Sequence, residues 1–219
     1  MGLKMAVYSA LELPYARPVA KAILESGDFR HWVIAGTKHE NAYMEARPIG
    51  VAQASLRSPK MKNPYWFNYW CGKDSRCACR IETGIETDIL LILECATGRR
   101  LGLHIEMKRP GEKLGDGQAE SYPRRAACWS NPHTRPKTVP PHQDFLTMLV
   151  CGRELASDRR VGYFDKVVFH DDVCRANPGL SRSVAKSSGC FQRNAWRTMV
   201  ACLEMTGESS KPNCKQMSL

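Results

Sequence analysis

The 219-residue sequence lacks any apolar run near the roughly 20 residues that a membrane-spanning helix needs. Near its start, Glu12 and Pro14 interrupt the apolar stretch that an export signal would require. We therefore expect a soluble, cytoplasmic protein without a membrane partner. Internal repeats and low-complexity segments are also missing, which argues against repeat proteins and disordered chains.

Acidic residues are scarce: 22 Asp and Glu stand against 32 Lys and Arg, a net charge of +10. This excess favours a polyanionic partner such as nucleic acid, although basic charge also simply aids solubility. The ten cysteines lack the paired Cys-x-x-Cys spacing of a zinc ribbon. In a reducing compartment we expect mainly thiols. The candidates for a structural metal are a tight group, Cys71, Cys77 and Cys79, and a looser set, Cys128, His133 and His142.

The length suits a single domain with one hydrophobic core. We predict an N-terminal helical extension (1–37), a core (38–170) and a C-terminal helical region (171–219). Apolar periodicity predicts helices near 17–26, 39–46, 118–129 and 191–205. Residues 145–150 and 163–170 are expected to be strands, although the first segment fits a helix equally well.

The middle of the chain predicts a β-hairpin. Residues 88–94 form an apolar run of strand length, and residues 101–108 alternate apolar and polar side chains. In the second strand His104, Glu106 and Lys108 therefore share one face. His104 could approach a phosphate there, but a hydrogen-bonded structural histidine is an equal expectation.

The turn of this hairpin decides whether two acidic side chains meet. If residues 96–98 form a three-residue loop with a left-handed glycine, Asp88 lies opposite Glu106 on the same face. A two-residue turn would place Asp88 opposite Met107, on the wrong face. The first register brings two carboxylates together beside Lys108.

Two adjacent carboxylates repel each other unless a proton or a cation intervenes, and hard oxygen ligands suit Mg²⁺ or Mn²⁺. A neighbouring lysine can orient or deprotonate an attacking water and balance charge in the transition state. Such a group can hydrolyse phosphodiesters. On spacing alone, a solvated hairpin with an ion pair between Glu106 and Lys108 explains the pattern equally well.

These residues resemble the PD-(D/E)XK nuclease superfamily, especially its RecB-type and VRR-type branches. The resemblance covers residues 84–129 and rests on Thr87-Asp88, the apolar strand, Glu106-Met107-Lys108, Arg109-Pro110-Gly111 and Gln118-x-x-x-Tyr122. It implies an α/β fold with a restriction-endonuclease-like core, in which helices flank a central mixed sheet of four to five strands. It also implies a nuclease that hydrolyses DNA with Mg²⁺ or Mn²⁺.

The resemblance gives each matching position a role. Asp88 and Glu106 would bind the metal, and the carbonyl group of Met107 would add a ligand. Lys108 would assist the attacking water. An acid from the first core helix often completes this set, and we favour Glu40 over Glu45 because it lies nearer the start of the predicted helix.

Gln118 and Tyr122 match family residues that organise the site and contact the substrate. Their alignment depends on Pro123, which inside a helix removes the hydrogen bond to the carbonyl of Ala119. If the helix started near Ser121 instead, Gln118 would lie in the preceding loop and the alignment would be lost.

Basic and aromatic residues alternate over residues 57–80, where bases could stack on exposed rings. We favour a core role for the aromatic residues and nucleic-acid contact for the basic flanks. A phosphate-binding rim is expected from Arg109, Lys113, Arg124 and Arg125.

Two further functions remain open: a catalytically inactive nucleic-acid-binding or adaptor protein with the same fold, and a nuclease directed at RNA. The sequence does not separate endonuclease from exonuclease action. An enzyme that cuts both strands would be expected to form a homodimer, because one such site hydrolyses one strand at a time.

Overall fold

A computed structural model describes residues 2–71, 79 and 86–177, with side chains from residue 11 onward. The helix expected over 191–205 and Cys77 lie outside the described residues. None of the described helices is long and apolar enough to cross a membrane.

The described part contains helices and a six-stranded sheet. The helices are α1 (Gly2–Glu25), α2 (Gly27–Ile34), α3 (Glu40–Tyr43), α4 (Gly50–Ser55), α5 (Gln118–Ser130) and α6 (His170–Ala176). The strands are β1 (Arg47–Pro48), β2 (Phe67–Trp70), β3 (Glu86–Glu94), β4 (Arg100–Met107), β5 (Asp144–Cys151) and β6 (Lys166–Phe169). Two short 3-10 helices, Arg153–Leu155 and Arg159–Tyr163, connect β5 to β6.

The sheet is mixed, with strand order β1-β3-β4-β5-β6, and β2 also pairs with β3. Strands β3 and β4 are antiparallel, whereas β4, β5 and β6 are parallel. The expected α/β class with a mixed sheet and flanking helices is therefore confirmed, with six strands instead of four or five. The number is larger because β1 and β2 share one edge of β3, at its two ends.

The gap between these two short strands is closed by a side chain. Gln53 donates a hydrogen bond to the carbonyl of Leu90 at 2.7 Å and accepts one from the backbone of Ile92 at 3.2 Å. The amide therefore satisfies backbone groups of β3 that neither short strand pairs, as buried polar groups require.

Helices cover both faces of the sheet. On one face, side chains such as Ile23 and Phe29 of α1 and α2 form a core with Ile105 and alternate residues of β3 and β4. On the other face, Trp129 of α5 packs with Leu90 and its neighbours. Segment 145–150 lies in β5 and not in a helix: β5 pairs with β4 and β6, and its alternate residues pack into cores on both faces of the sheet.

Three predicted elements have different bounds. Helix α1 begins at Gly2, well before the predicted start at residue 17, and ends at Glu25. Ser26 caps the next helix, α2, by accepting a hydrogen bond from the backbone N–H of Phe29 at 3.1 Å. The helix predicted near 39–46 is only the four-residue α3. The strand predicted over 163–170 begins at Lys166, because the chain before it forms a 3-10 helix.

Candidate active site

The turn between β3 and β4 has the three-residue form. Gly98 has a left-handed φ of +77°, and its N–H donates to the carbonyl of Cys95 at 2.9 Å. The pairing of the two strands then runs from Glu94 opposite Arg100 to Ile89 opposite Ile105. Of the two registers that the sequence allows, the structure has the one set by the three-residue turn, and the next pair along it would be Asp88 and Glu106.

Asp88 lies where β3 and β4 stop pairing. The ladder ends at Ile89, and the Oδ2 atom of Asp88 accepts a hydrogen bond from the backbone N–H of Met107 at 2.7 Å. The Asp88 carboxylate thus accepts a hydrogen bond from the backbone of β4 where the pairing of the two strands ends. Only 5% of Asp88 is exposed.

Glu106 is held through both of its carboxylate oxygens. Its Oε1 atom lies 2.7 Å from the ammonium nitrogen of Lys108 and accepts a hydrogen bond from Gln118 at 2.5 Å. Its Oε2 atom accepts a hydrogen bond from the hydroxyl of Tyr122. Because Glu106 is 1% and Lys108 4% exposed, the interpretation as a solvated hairpin is wrong.

Helix α5 supplies two of these contacts. It begins at Gln118, with Pro123 inside it, so Gln118 and Tyr122 lie about one turn apart and both reach Glu106. The later helix start near Ser121 is therefore not adopted. The structure brings together Asp88, Glu106, Lys108, Gln118 and Tyr122, as the sequence predicted.

Two acids that the sequence analysis did not select also lie close to this group. Glu12 of α1 is 9% exposed and interacts electrostatically with Glu106 and Lys108. Glu86 begins β3, and its Oε1 atom is buried without a hydrogen-bond partner among the described residues. One signal could have identified Glu12: it is the only acidic residue before Glu25.

Glu40 does not join the group. Its carboxylate accepts a hydrogen bond from Gly36 N at 2.8 Å. Helix α3 is fixed to the other end of the sheet, where Tyr43 donates to Asp144 at 2.5 Å. Asp144 pairs with Leu101 of β4. Leu101 precedes Glu106 by five residues, so these two residues lie roughly 16 Å apart along the strand. The alternative, Glu45, is exposed on the chain after α3.

Burial and mutual repulsion raise the pKa values of the acids. The pKa of Asp88 lies well above its ordinary value because the group is desolvated and faces Glu106 and Glu12. Desolvation and neighbouring carboxylates likewise raise the pKa of Glu12 to about 7 and that of Glu86 to about 8. These acids therefore tend to hold protons near neutral pH, and a bound cation would displace the protons and relieve the repulsion between the ionised carboxylates.

Lys108 is the buried cation of this group. Burial by itself lowers the pKa of Lys108, but the carboxylates of Glu106 and Asp88 outweigh that effect and raise it. Its backbone is fixed as well, since the carbonyl oxygen lies 2.8 Å from Nε2 of His170. Lys108 therefore stays protonated at neutral pH.

Of the four basic residues expected to form a phosphate-binding rim, two are exposed and one is buried. Lys113 and Arg124 are exposed, and Arg109 pairs with Glu112 at 3.1 Å. Arg125 is 1% exposed and donates to the hydroxyl of Thr87 at 2.9 Å. The expectation for Arg125 was wrong because its position on α5 faces the sheet.

The aromatic residues in β2 and directly before it are mainly core residues. Trp66, Phe67 and Tyr69 are buried. Asn68 has a left-handed φ of 57°, and Phe67 and Tyr69 on either side of it belong to the cores on opposite faces of the sheet. The core interpretation is thus confirmed for these three rings.

His104 is inaccessible to a phosphate. It is fully buried, its ring lies 5.3 Å from that of Trp129, and neither ring nitrogen has a hydrogen-bond partner among the described residues. Both expectations for His104, phosphate contact and a hydrogen-bonded structural role, were therefore wrong. It is a core residue whose pKa burial holds well below its ordinary value.

Chemically, the group combines buried carboxylates, an ammonium ion, a phenol and an amide at one end of the sheet. Carboxylate oxygens are hard ligands for divalent cations, and an ammonium ion can stabilise developing negative charge. A comparison with protein-family models, with curated proteins and with solved structures finds no match for this chain.

Proposed function

We propose that this protein is a metal-dependent nuclease that hydrolyses DNA phosphodiesters, built on a restriction-endonuclease-like core. The observation that carries the proposal is the buried group of Asp88, Glu106 and Lys108 where β3 and β4 separate. Its carboxylates and ammonium ion belong to neighbouring positions of one hairpin, so the hairpin register fixes their relative placement.

The donor set fits Mg²⁺ or Mn²⁺. Asp88 and Glu106 would hold the cation together with the carbonyl oxygen of Met107. The Oε1 atom of Glu86 is buried without a hydrogen-bond partner among the described residues, and desolvation together with mutual repulsion raises the pKa values of Asp88, Glu12 and Glu86. A cation bound beside them would offset both effects. A bound cation would act as a Lewis acid on the phosphate and lower the pKa of water.

The chain's own residues prepare the site. Gln118 and Tyr122 hold the two oxygens of Glu106, which fixes the orientation of its carboxylate. Lys108 enters the reaction as an ammonium ion, so it orients the attacking water and balances phosphate charge, and it does not remove the proton. Exposed Lys113 and Arg124 are placed to contact the nucleic-acid backbone.

The direct test is incubation of the purified chain with labelled linear, circular and single-stranded DNA and with matched RNA. Each reaction is run with Mg²⁺, with Mn²⁺ and with a chelator. We expect DNA products only with a divalent cation, and product lengths will separate endonuclease from exonuclease action. Cleavage of RNA alone would favour the RNA-directed enzyme, and binding without any product would favour the inactive binding protein.

Substitution of Asp88 or Lys108 should abolish cleavage while the chain still folds. Asp88→Asn keeps an acceptor for the N–H of Met107 but removes the charge, and Lys108→Ala removes the ammonium ion. We expect each to lower the cleavage rate by about 100-fold or more.

Matched controls are Glu45→Gln and Lys21→Ala, which change exposed side chains. Initial rates are compared after circular dichroism has shown equal folding. Near wild-type rates in either site variant would refute the assignment.

A further inference from the structure

Three cysteines from separate parts of the chain converge on the face of the sheet that α5 covers. Cys71 follows β2, Cys79 lies between β2 and β3, and Cys128 belongs to α5. Their sulfur atoms all lie within 4.8 Å of one another, and the side chains are 4–8% exposed. Among the described residues, no other group of three or more Cys, His, Asp or Glu side chains comes this close.

The arrangement matches the ligand chemistry of zinc. Zn²⁺ binds thiolates at about 2.3 Å, so tetrahedral ligands lie about 3.8 Å apart. The sulfurs of Cys71 and Cys79 are 3.0 Å apart, and a cation between them would require only a small separation. The indole N–H of Trp129 donates to the sulfur of Cys71 at 3.3 Å, the kind of second contact that orients a metal ligand.

The spacing of these three cysteines in the sequence does not indicate that they lie together. Cys71 and Cys79 are eight positions apart, and Cys128 was placed in a different set with His133 and His142. In the structure His133 is exposed, whereas His142 packs 5.7 Å from His104, ring to ring. Only the packing of α5 brings Cys128 to the other two sulfurs.

Cys71 has to be reduced before its sulfur can bind a metal ion. Cys71 is disulfide-bonded, whereas Cys79 and Cys128 do not take part in a disulfide. A phosphine reductant takes up the oxygen of water, becomes its oxide and converts the disulfide to two thiols. All three described sulfurs are then available as ligands once their protons are released.

We propose that the reduced chain binds one Zn²⁺ through Cys71, Cys79 and Cys128. One of the four positions of zinc remains for a further donor. The ion would tie α5 to the chain between β2 and β3, and α5 carries Gln118 and Tyr122. This site is independent of the proposed nuclease function, because soft sulfur ligands select zinc whereas hard carboxylates select Mg²⁺ or Mn²⁺.

The test uses the full chain, reduced with a phosphine, freed of metal with a chelator and titrated with Zn²⁺. We expect one equivalent of zinc to remain bound after gel filtration, as measured by elemental analysis. Co²⁺ should replace it and give the charge-transfer absorption of thiolate ligands. Cys128→Ser should weaken binding by at least about tenfold.

The matched control is Cys151→Ser, which changes a fully buried free thiol on β5. It should keep the wild-type stoichiometry. Zinc should also protect Cys79 and Cys128 of the wild-type chain from alkylation, as read by mass spectrometry after digestion, so the test does not depend on a variant folding.

Three results would overturn the proposal. The reduced wild-type chain could retain no zinc, or folded Cys128→Ser could give the same cobalt spectrum as the wild type. Cys79 and Cys128 could also be alkylated at the same rate with and without zinc. An iron–sulfur chromophore in the purified chain would assign these ligands to a different cofactor.

Discussion

At the scale of single residues, burial decides the chemistry of the polar side chains. Lys108 and Glu106 are both almost inaccessible and lie 2.7 Å apart, so each is the other's counterion in place of water. Removing one partner of such a pair leaves an uncompensated buried charge, which is strongly unfavourable. A substitution at either position therefore tests stability as well as activity, and folding has to be measured alongside cleavage.

His142 shows the opposite case, a buried titratable group kept neutral. Burial lowers its pKa from 6.5 to about 4, although Nδ1 lies 2.9 Å from the carbonyl oxygen of Pro140. The unfolded chain then binds more protons than the folded chain between about pH 4 and pH 6.5. The stability associated with His142 is therefore present above pH 6.5 and is lost as the pH falls towards 4.

His142→Asn should remove this pH dependence, because Asn can still donate to Pro140 but does not titrate. From pH 7 to pH 4.5 the free energy of unfolding of the wild type should fall by about 1 kcal/mol or more relative to that of the variant. Urea unfolding at both pH values measures the difference. His133→Asn, at an exposed position, is the control, and an equal pH effect in both variants would contradict the interpretation.

At the scale of elements, the hairpin and α5 build the site together. The loop at residues 96–98 sets the register of β3 and β4, and thereby the meeting of Asp88 and Glu106. Helix α5 then crosses this face and fixes the Glu106 carboxylate. The turn therefore matters to the site even though it lies at the other end of both strands.

Gly98→Ala should destabilise the chain by about 1 kcal/mol, because an L-residue is strained at a φ of +77°. Space is not the cause, since a Cβ atom at Gly98 would meet nothing within 4 Å. Gly162→Ala is the matched control, since it is equally open and lacks a left-handed φ. Chemical unfolding of both variants measures the effect, and equal stabilities would contradict the role of the turn.

At the scale of the whole molecule, the layered fold gathers charge from both sides of the sheet. Helix α1 brings Glu12 to the end of β4, while β3 contributes Asp88 and Glu86. Several carboxylates are thus packed around Lys108 in a chain whose net charge is +10. The proposed cation would displace protons from this cluster of acids and offset the repulsion between the ionised carboxylates.

Binding of Mn²⁺ or Mg²⁺ at this group should raise the melting temperature. At a concentration ten times Kd, a ligand specific for the folded state stabilises it by about 1.4 kcal/mol, or about 3–6 °C for a chain of this size. Asp88→Asn should lose this shift, whereas Glu45→Gln should keep it. Equal shifts in Asp88→Asn and the wild type, measured by calorimetry, would place the cation elsewhere.

The sequence by itself determined the local part of this protein: the strand alternation and a hairpin whose turn has two possible forms, one of which brings Asp88 and Glu106 together beside Lys108. These follow from the period of a strand and the geometry of one loop, which act between residues close in the chain. The start of α5, with Gln118 and Tyr122 aligned, was one of two sequence alternatives until the structure placed both on Glu106.

Only the tertiary structure decided which distant residues join them. It brought Glu12 and Glu86 to the acids, placed Glu40 at the opposite end of the sheet, and buried Arg125. It also united Cys128 with Cys71 and Cys79. Such contacts depend on how helices dock onto the two faces of the sheet, and no local period or spacing in the chain encodes that docking.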